Sequence, residues 1–264
     1  MTLYSLFGNP VSHSLSPRMH NLAFTRLGID GAYIRTPLED GAHLREVFLN
    51  QKLDGANVTV PHKEAAFRAC DTVLGIATSI KAINTLIYTK GAITGYNTDA
   101  PGFLRAIASF GIVRTALILG AGGTAKALAF ALKSTGIAPV ILNRSAPKLD
   151  AFIAEGFTCF THENFSPASF DLIVNTTSAG LSDEAFPAPE ALLKTLFNKA
   201  TYAFEVIYKP TPFLALAKAH GLTCKDGKEM LLWQGVLAFN LFHHNTLAEE
   251  KIADAMREAL RLSS

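Results

Sequence analysis

The chain has 264 residues, 24 Lys+Arg against 22 Asp+Glu for a formal net charge of +2, 49% hydrophobic residues and 17% charged ones. That length suits one large domain or two modest ones, with a core that needs no disulfide or metal support. The near-balance of charge excludes a dedicated nucleic-acid binder, and the apolar content excludes disorder.

Leu3–Phe7 is a short apolar run stopped by Gly8-Asn9-Pro10, and reads as a strand and a turn. Ser16-Pro17 opens a helix through Leu27; the serine suits a cap, the proline suits the first turn, and Gly28 closes it. A strand over Ala32–Thr36, a helix over Asp40–Lys52, a strand over Ala56–Val60 and a helix over Lys63–Ala69 follow. Leu86–Tyr88 and Ala92–Gly95 flank Lys90-Gly91 as a hairpin, and a helix over Pro101–Phe110 comes after Asp99.

A second alternating series begins at Thr115, with strands at Ala116–Leu119, Pro139–Leu142, Asp171–Asn175 and Thr201–Val206. Its helices are expected at Thr124–Thr135, Pro147–Glu155, Glu190–Phe197 and Pro212–His220. This rhythm implies a parallel sheet covered on both faces. Two last helices, Gly227 to about His243 and Ala248–Leu262, have no strand between them and are expected to return to the first half. The reading is an α/β fold of two domains, 1–100 plus 228–264 and 101–227, facing each other across a cleft.

Cys70, Cys159 and Cys224 lie far apart and form no C-x-x-C pair, so neither a disulfide framework nor a metal site is expected. Met1–Pro10 lacks the charged and apolar stretches of a secretory signal, and no window is apolar enough to span a bilayer. A cytoplasmic protein is the expectation, as a monomer or homodimer, with neither nucleic acid nor membrane as a partner.

Gly120-Ala121-Gly122-Gly123-Thr124-Ala125 follows an apolar strand and opens a helix, the context that gives a G-x-G-x-x-G/A string its meaning. Gly120 permits the tight turn, Gly122 lets the backbone approach a pyrophosphate, and Ala125 allows close helix–strand packing. The helix N-terminus offers free N–H groups to the phosphates. A glycine turn that only links two elements is the plain alternative. NAD-binding proteins place an acid about 20 residues further on. Here Asn143-Arg144-Ser145 stands at that point with Lys148 beyond, and a guanidinium grips a 2′-phosphate where a carboxylate repels it. NADP is therefore favoured over NAD, the alternative being a solvated surface arginine.

Five further strings stand in order: Ser12-His-Ser14-Leu-Ser16-Pro17, Asn57-Val-Thr59-Val-Pro-His-Lys63, Ala82-Ile-Asn84-Thr85, Gly95-Tyr-Asn-Thr-Asp99 and Met230-Leu-Leu-Trp-Gln234. With these and Asn175-Thr-Thr-Ser-Ala-Gly180, the chain resembles the shikimate dehydrogenase family from Ser12 to Gln234. The resemblance implies NADPH-dependent reduction of 3-dehydroshikimate to shikimate, on the route to aromatic amino acids. It implies substrate contacts from Ser14, Ser16, Thr59, Lys63, Asn84, Asp99, Tyr208 and Gln234, with Lys63 and Asp99 catalytic. It also implies an NADP site at Gly120, Ala121, Gly122, Gly123, Thr124, Asn143, Arg144, Ser145 and Lys148, with Val206 and Gly227 at the nicotinamide end. The first domain would then hold substrate and the second, Rossmann-like domain NADP. Val206–Pro212 is shorter than the family's segment, with Tyr208 the counterpart of its substrate-contacting tyrosine.

Hydroxyls and amides suit a small polyol carboxylate, because they donate and accept and reject analogues that leave them unpaired. Hydride transfer to a ketone leaves charge on oxygen, which a nearby ammonium stabilises before supplying the proton. Lys63 fits that task, the bland alternative being an exposed lysine at a helix start. The competing functional readings are an NAD(P)-dependent quinate/shikimate dehydrogenase, a methylene-tetrahydrofolate dehydrogenase-like enzyme and a non-catalytic ligand-sensing module of the same fold.

Overall fold

The structure is a computed structural model describing residues 1–262, so the expected segment 228–264 runs two residues past the described chain. The chain divides into two compact units, Met1–Gly102 with the segment from Leu232 onward, and Phe103–Leu231.

The first unit begins β1 (Thr2–Gly8), α1 (Ser16–Leu27), β2 (Gly31–Pro37), α2 (Leu44–Asn50), β3 (Gly55–Val58) and α3 (Lys63–Ala69). It continues with β4 (Thr72–Val73), α4 (Ala77–Ile80), β5 (Thr85–Thr89), β6 (Ala92–Tyr96) and the start of α5 (Asp99–Ile107). The sheet order is β2-β1-β3-β5-β6-β4. Strands β1, β2 and β3 are parallel, whereas β5 runs antiparallel to both β3 and β6. This sheet is mixed because Lys90 and Gly91 both hold positive φ, 52° and 86°, the two-residue turn that reverses a strand.

Two local expectations are corrected. The helix expected over Asp40–Lys52 starts as a separate 3-10 turn, Gly41–His43, where the Asp40 carboxylate accepts from Ala42 N. Ser16 is not the cap of α1: Leu15 holds that position, Ser16 is the first helical residue, and the Ser14 hydroxyl accepts its N–H at 3.3 Å. Gly28 does end the helix, at φ 64°. Strand β4 and helix α4 are too short to leave a periodic signal.

The second unit runs β7 (Thr115–Leu119), α6 (Gly123–Ser134), β8 (Ala138–Asn143), α7 (Asp150–Ile153), β9 (Thr158–Thr161) and β10 (Leu172–Asn175). It ends with α8 (Glu190–Phe197), β11 (Tyr202–Glu205), α9 (Pro212–Ala219) and β12 (Thr223–Lys225). The order is β12-β11-β10-β7-β8-β9, with every neighbouring pair parallel. This is the doubly wound order, whose chain direction across the sheet reverses between β7 and β10. Leu117, Ile118, Ile173, Val174, Ala203 and Phe204 are wholly buried, as strands covered on both faces must be. The edge strands β9 and β12 escape a sequence reading because solvent on one side keeps them short and partly polar. Pro147–Glu155 is a 3-10 turn, Ala146–Lys148, followed by the single turn of α7.

Helices α10 (Lys228–Phe242) and α11 (Glu249–Arg261) complete the chain. In the first unit α11 packs on α1, where Arg26 donates twice to the Glu258 carboxylate at 3.0 and 2.5 Å. Rings from α10 fill the space under α1 and β1: Phe239 lies 4.8 Å from Phe24, and Phe242 stacks 4.5 Å from Tyr4. Among the described residues no helix is long and apolar enough to cross a membrane.

One core imidazole makes this packing pH-sensitive. His20 stacks 4.2 Å from Tyr33, its Nδ1 has no partner, and burial with a contribution from His243 pushes its pKa down to about 3. A depressed histidine stabilises the fold above its unfolded value of ~6.5 and withdraws that stability as pH falls toward the folded value. Replacing His20 with Phe keeps the ring and removes the titration. Urea unfolding is expected to show that wild type loses about 2 kcal/mol more than H20F between pH 7 and pH 5; parallel losses would reject the account.

Candidate functional site

One end of the first sheet collects the polar strings. The C-terminal ends of β1 and β3 lie side by side, and antiparallel β5 begins where β3 ends, with Asn57 opposite Thr85. Thr85 in turn pairs with Tyr96, so β6 also ends there. Gly8 closes the approach of the first two loops: a Cβ there would meet the Thr59 methyl at 2.4 Å and Val60 O at 3.0 Å. The Ser14–Ser16 loop thus leaves β1 beside the Thr59 loop, and the two serine hydroxyls lie 3.3 Å apart. On the helical side a Cβ on Gly102 would meet Gln234 N at 2.8 Å, which sets Gln234 of α10 against α5 one turn beyond Asp99. Trp233, its neighbour, lies under the Arg257 guanidinium at 5.5 Å, in keeping with a packing role.

At the centre Lys63 Nζ donates to Asp99 Oδ2 at 2.7 Å, with side chains only 11% and 9% exposed. The pair follows from local structure. Lys63 is the first residue of α3, and Ile83 N donates to its carbonyl; Asp99 is the first residue of α5. Asn84 donates from Nδ2 to the other carboxylate oxygen, Asp99 Oδ1, at 2.9 Å and to the Thr98 hydroxyl at 2.9 Å. Its own Oδ1 accepts from Thr98 N at 2.7 Å. The Asn84 amide therefore joins Asp99 to Thr98, and its Oδ1 also accepts from the Thr85 hydroxyl at 3.1 Å.

Sequence reasoning missed what stands behind Asn84. Asn57 donates to Asn84 O and to the Thr85 hydroxyl, both at 3.0 Å, and accepts from the Tyr33 hydroxyl at 2.8 Å. All are buried, so each polar atom must find a partner inside the protein. The available signal was Asn57 inside an otherwise apolar strand, where a polar side chain asks for a reason.

The second unit carries the other set. Gly120 ends β7 at φ 108°, and a Cβ there would stand 2.7 Å from the Thr176 hydroxyl, so the turn accepts only glycine. Gly122 is extended and a Cβ on it would meet nothing within 4 Å, which leaves the backbone open to a ligand. Gly123 and Thr124 then open α6, while Ala125 is buried against the sheet. After β8, Asn143 Nδ2 donates to Ser145 O at 2.9 Å and closes a turn that leaves Arg144 and Lys148 exposed. An anion-seeking helix N-terminus, a bare glycine and two cations suit a phosphorylated dinucleotide. These residues fit NADP.

Val206 follows the end of β11, and Gly227 packs on it: a Cβ at Gly227 would stand 2.1 Å from Val206 O. Tyr208 also belongs to this unit, half-buried in the 206–210 connection, and burial raises its pKa. Beside it is an acid that sequence reasoning overlooked. Glu205, wholly buried, takes hydrogen bonds from Asn175, Thr211 and Ile207, and burial pushes its pKa up to about 7 against them. A charge ending the apolar run Tyr202-Ala-Phe204 was its only mark in the sequence. Among the described residues no group of three or more His, Cys, Asp or Glu side chains is placed to hold a metal ion.

Comparison with known proteins gives the same set of strings a family. The shikimate dehydrogenase substrate binding domain matches residues 6–86. A Helicobacter hepaticus protein named shikimate dehydrogenase (NADP(+)) is 47% identical over 97% of this chain and 98% of its own length. One from Thermus thermophilus is 40% identical over 98% of this chain and 99% of its own. The crystal structure of the Thermus thermophilus shikimate 5-dehydrogenase in complex with NADP(H) and shikimate matches with a TM-score of 0.84 at 37% identity, covering 98% of this chain and all of that one.

Removing one member of a buried ion pair leaves the other uncompensated. Lys63→Met and Asp99→Asn are each expected to destabilise by about 3–5 kcal/mol. The double substitution should cost at least ~1 kcal/mol less than their sum in urea unfolding; simple additivity would mean that the two groups are not coupled.

Proposed function

The chain belongs to the shikimate dehydrogenase family, and from that premise we propose that it catalyses the reversible NADPH-dependent reduction of 3-dehydroshikimate to shikimate, leading to chorismate and the aromatic amino acids. The observation that carries the reading is the buried Lys63–Asp99 pair, an ammonium held by a carboxylate among hydroxyl and amide side chains. The relatives bear NADP(+) in their names, and Arg144 stands here where an NAD protein has an acid. The NAD-using and non-catalytic alternatives are not favoured.

NADPH supplies the hydride when bound. As the substrate ketone accepts it, negative charge develops on the carbonyl oxygen, and the Lys63 ammonium is the group suited to stabilise it and pass its proton across. Asp99 takes one hydrogen bond from Lys63 and one from Asn84, which fixes the direction of the ammonium. Asn84 thus sets the carboxylate. Ser14, Ser16, Thr59 and Gln234 are the groups for the substrate's hydroxyls and carboxylate, with Tyr208 a further candidate contact. In the reverse direction neutral Lys63 accepts the proton of the shikimate hydroxyl. Gly120–Thr124 hold the pyrophosphate, Asn143–Ser145 with Lys148 hold the 2′-phosphate, and Val206 with Gly227 border the nicotinamide.

The decisive experiment is NADPH oxidation followed by absorbance with 3-dehydroshikimate, repeated with 3-dehydroquinate and with NADH. Turnover is expected with 3-dehydroshikimate and NADPH, and none in that pairing would reject the proposal. Lys63→Ala should lower kcat by at least ~10²-fold while NADPH affinity persists; near-normal turnover would remove Lys63 from proton transfer. Arg144→Glu should raise KM for NADPH far more than for NADH, and equal changes would sink the 2′-phosphate assignment.

A further inference from the structure

The doubly wound sheet divides a dinucleotide between its halves. Its pyrophosphate lies at the first glycine turn, the adenosine ribose beyond the second strand, and the other nucleotide on the far side of the switch point. Here the glycine turn ends β7 and Arg144 follows β8, so the nicotinamide half falls to the loops after β10 and β11. One buried side chain holds both loops. Glu205 Oε2 accepts from Asn175 Nδ2 at 2.8 Å and from the Thr211 hydroxyl at 3.0 Å, while Oε1 accepts from Ile207 N at 3.1 Å.

Each partner leads outward. Asn175 has its Oδ1 occupied by Thr177 N at 2.9 Å and the Thr177 hydroxyl at 2.8 Å, so its amide must face Glu205. The Thr177 hydroxyl accepts in turn from Ala179 N at 3.2 Å, which carries the order into the loop after β10. Thr211 caps α9 by accepting from Leu214 N, and a Cβ on Gly180 would meet its Cβ at 3.0 Å, so the two loops rest on each other there. Between Glu205 and Thr211 lie Val206 and Tyr208, and Val206 is pressed by Gly227. A carboxylate offers only acceptors, and three donors converge on it.

We propose that Glu205 is a positioning residue for the reaction: by joining the end of β10 to the cap of α9 it holds the Asn175–Gly180 and Val206–Thr211 loops in the shape that receives the nicotinamide half of NADPH. This rests on the NADPH-dependent reaction proposed above. It makes a distinction within the cofactor, because among the described residues Glu205 bonds to Asn175, Ile207 and Thr211, away from the turn that carries Arg144 and Lys148. Glutamine cannot replace it: in either orientation an N–H would face Asn175 and Thr211, or Ile207 N.

The test uses the full chain and two probes, NADPH and 2′,5′-ADP, which carries only the adenosine half and its 2′-phosphate. Glu205→Gln is expected to lower kcat and weaken NADPH binding, by about tenfold or more in kcat/KM, while 2′,5′-ADP affinity stays within about twofold. Glu205→Asp, which restores the charge on a shorter arm, should recover part of the loss. If E205Q fails to fold, Thr211→Val removes one donor alone and should shift the same quantities in the same direction, less steeply. Unchanged kcat and NADPH affinity in the folded variant would overturn the proposal. So would a parallel loss of 2′,5′-ADP binding, which would mark a general structural defect. NADPH and 2′,5′-ADP titrations read out without turnover, so an inactive wild type would reject the reaction and still leave Glu205 to be judged by binding.

Discussion

An ammonium and a carboxylate 2.7 Å apart, both nearly out of water, impose the order of the first unit. Burying either alone would cost several kcal/mol, and their attraction offsets that only if the remaining hydrogen-bonding capacity is satisfied. The surrounding polar residues follow from this demand. Asn84 supplies the second donor to Asp99, Thr98 holds Asn84, and Asn57 with Tyr33 extends the satisfied network through the sheet. The hairpin at Lys90-Gly91 brings β5 and β6 back to the same end as β1 and β3, so backbone direction serves the same charge.

The second unit repeats the device with different chemistry. There a carboxylate at a strand end, Glu205, takes an asparagine amide from the neighbouring strand, and that asparagine is locked by a threonine two residues on. Among the described residues no cation stands against Glu205 at hydrogen-bonding distance, and burial pushes its pKa up where neutral donors only partly compensate. Asp99 has an ammonium to orient; Glu205 has only backbone and neutral side chains, which suits it to hold loops in place. Close backbone approach completes both arrangements: Gly8, Gly102, Gly120 and Gly227 stand where any Cβ would strike a neighbour.

Much of this was legible in the chain. The alternation of apolar runs and helices implied α/β units, and Gly120–Ala125 after Ala116–Leu119 implied a strand, a glycine turn and a helix start, because these signals are local. Short edge strands such as β9 and β12 were not legible, since four or three residues half in solvent leave no period to detect. Nor was the network around Asn84, whose amide bonds to Thr98, Asp99 and Thr85 across a strand end and two turns.

The near-neutral composition that excluded nucleic acid was silent about where charges sit, and position carries the chemistry. The sequence by itself determined the strand–helix rhythm, the phosphate turn and the types of residue available, because torsional preference, periodicity and functional-group chemistry belong to single residues and their near neighbours. Tertiary structure alone decided the pairings: Lys63 with Asp99, 36 positions apart, and Glu205 with Asn175, 30 apart. A buried charge chooses its partner by distance in space and by what else can satisfy it, and neither quantity is written in local sequence.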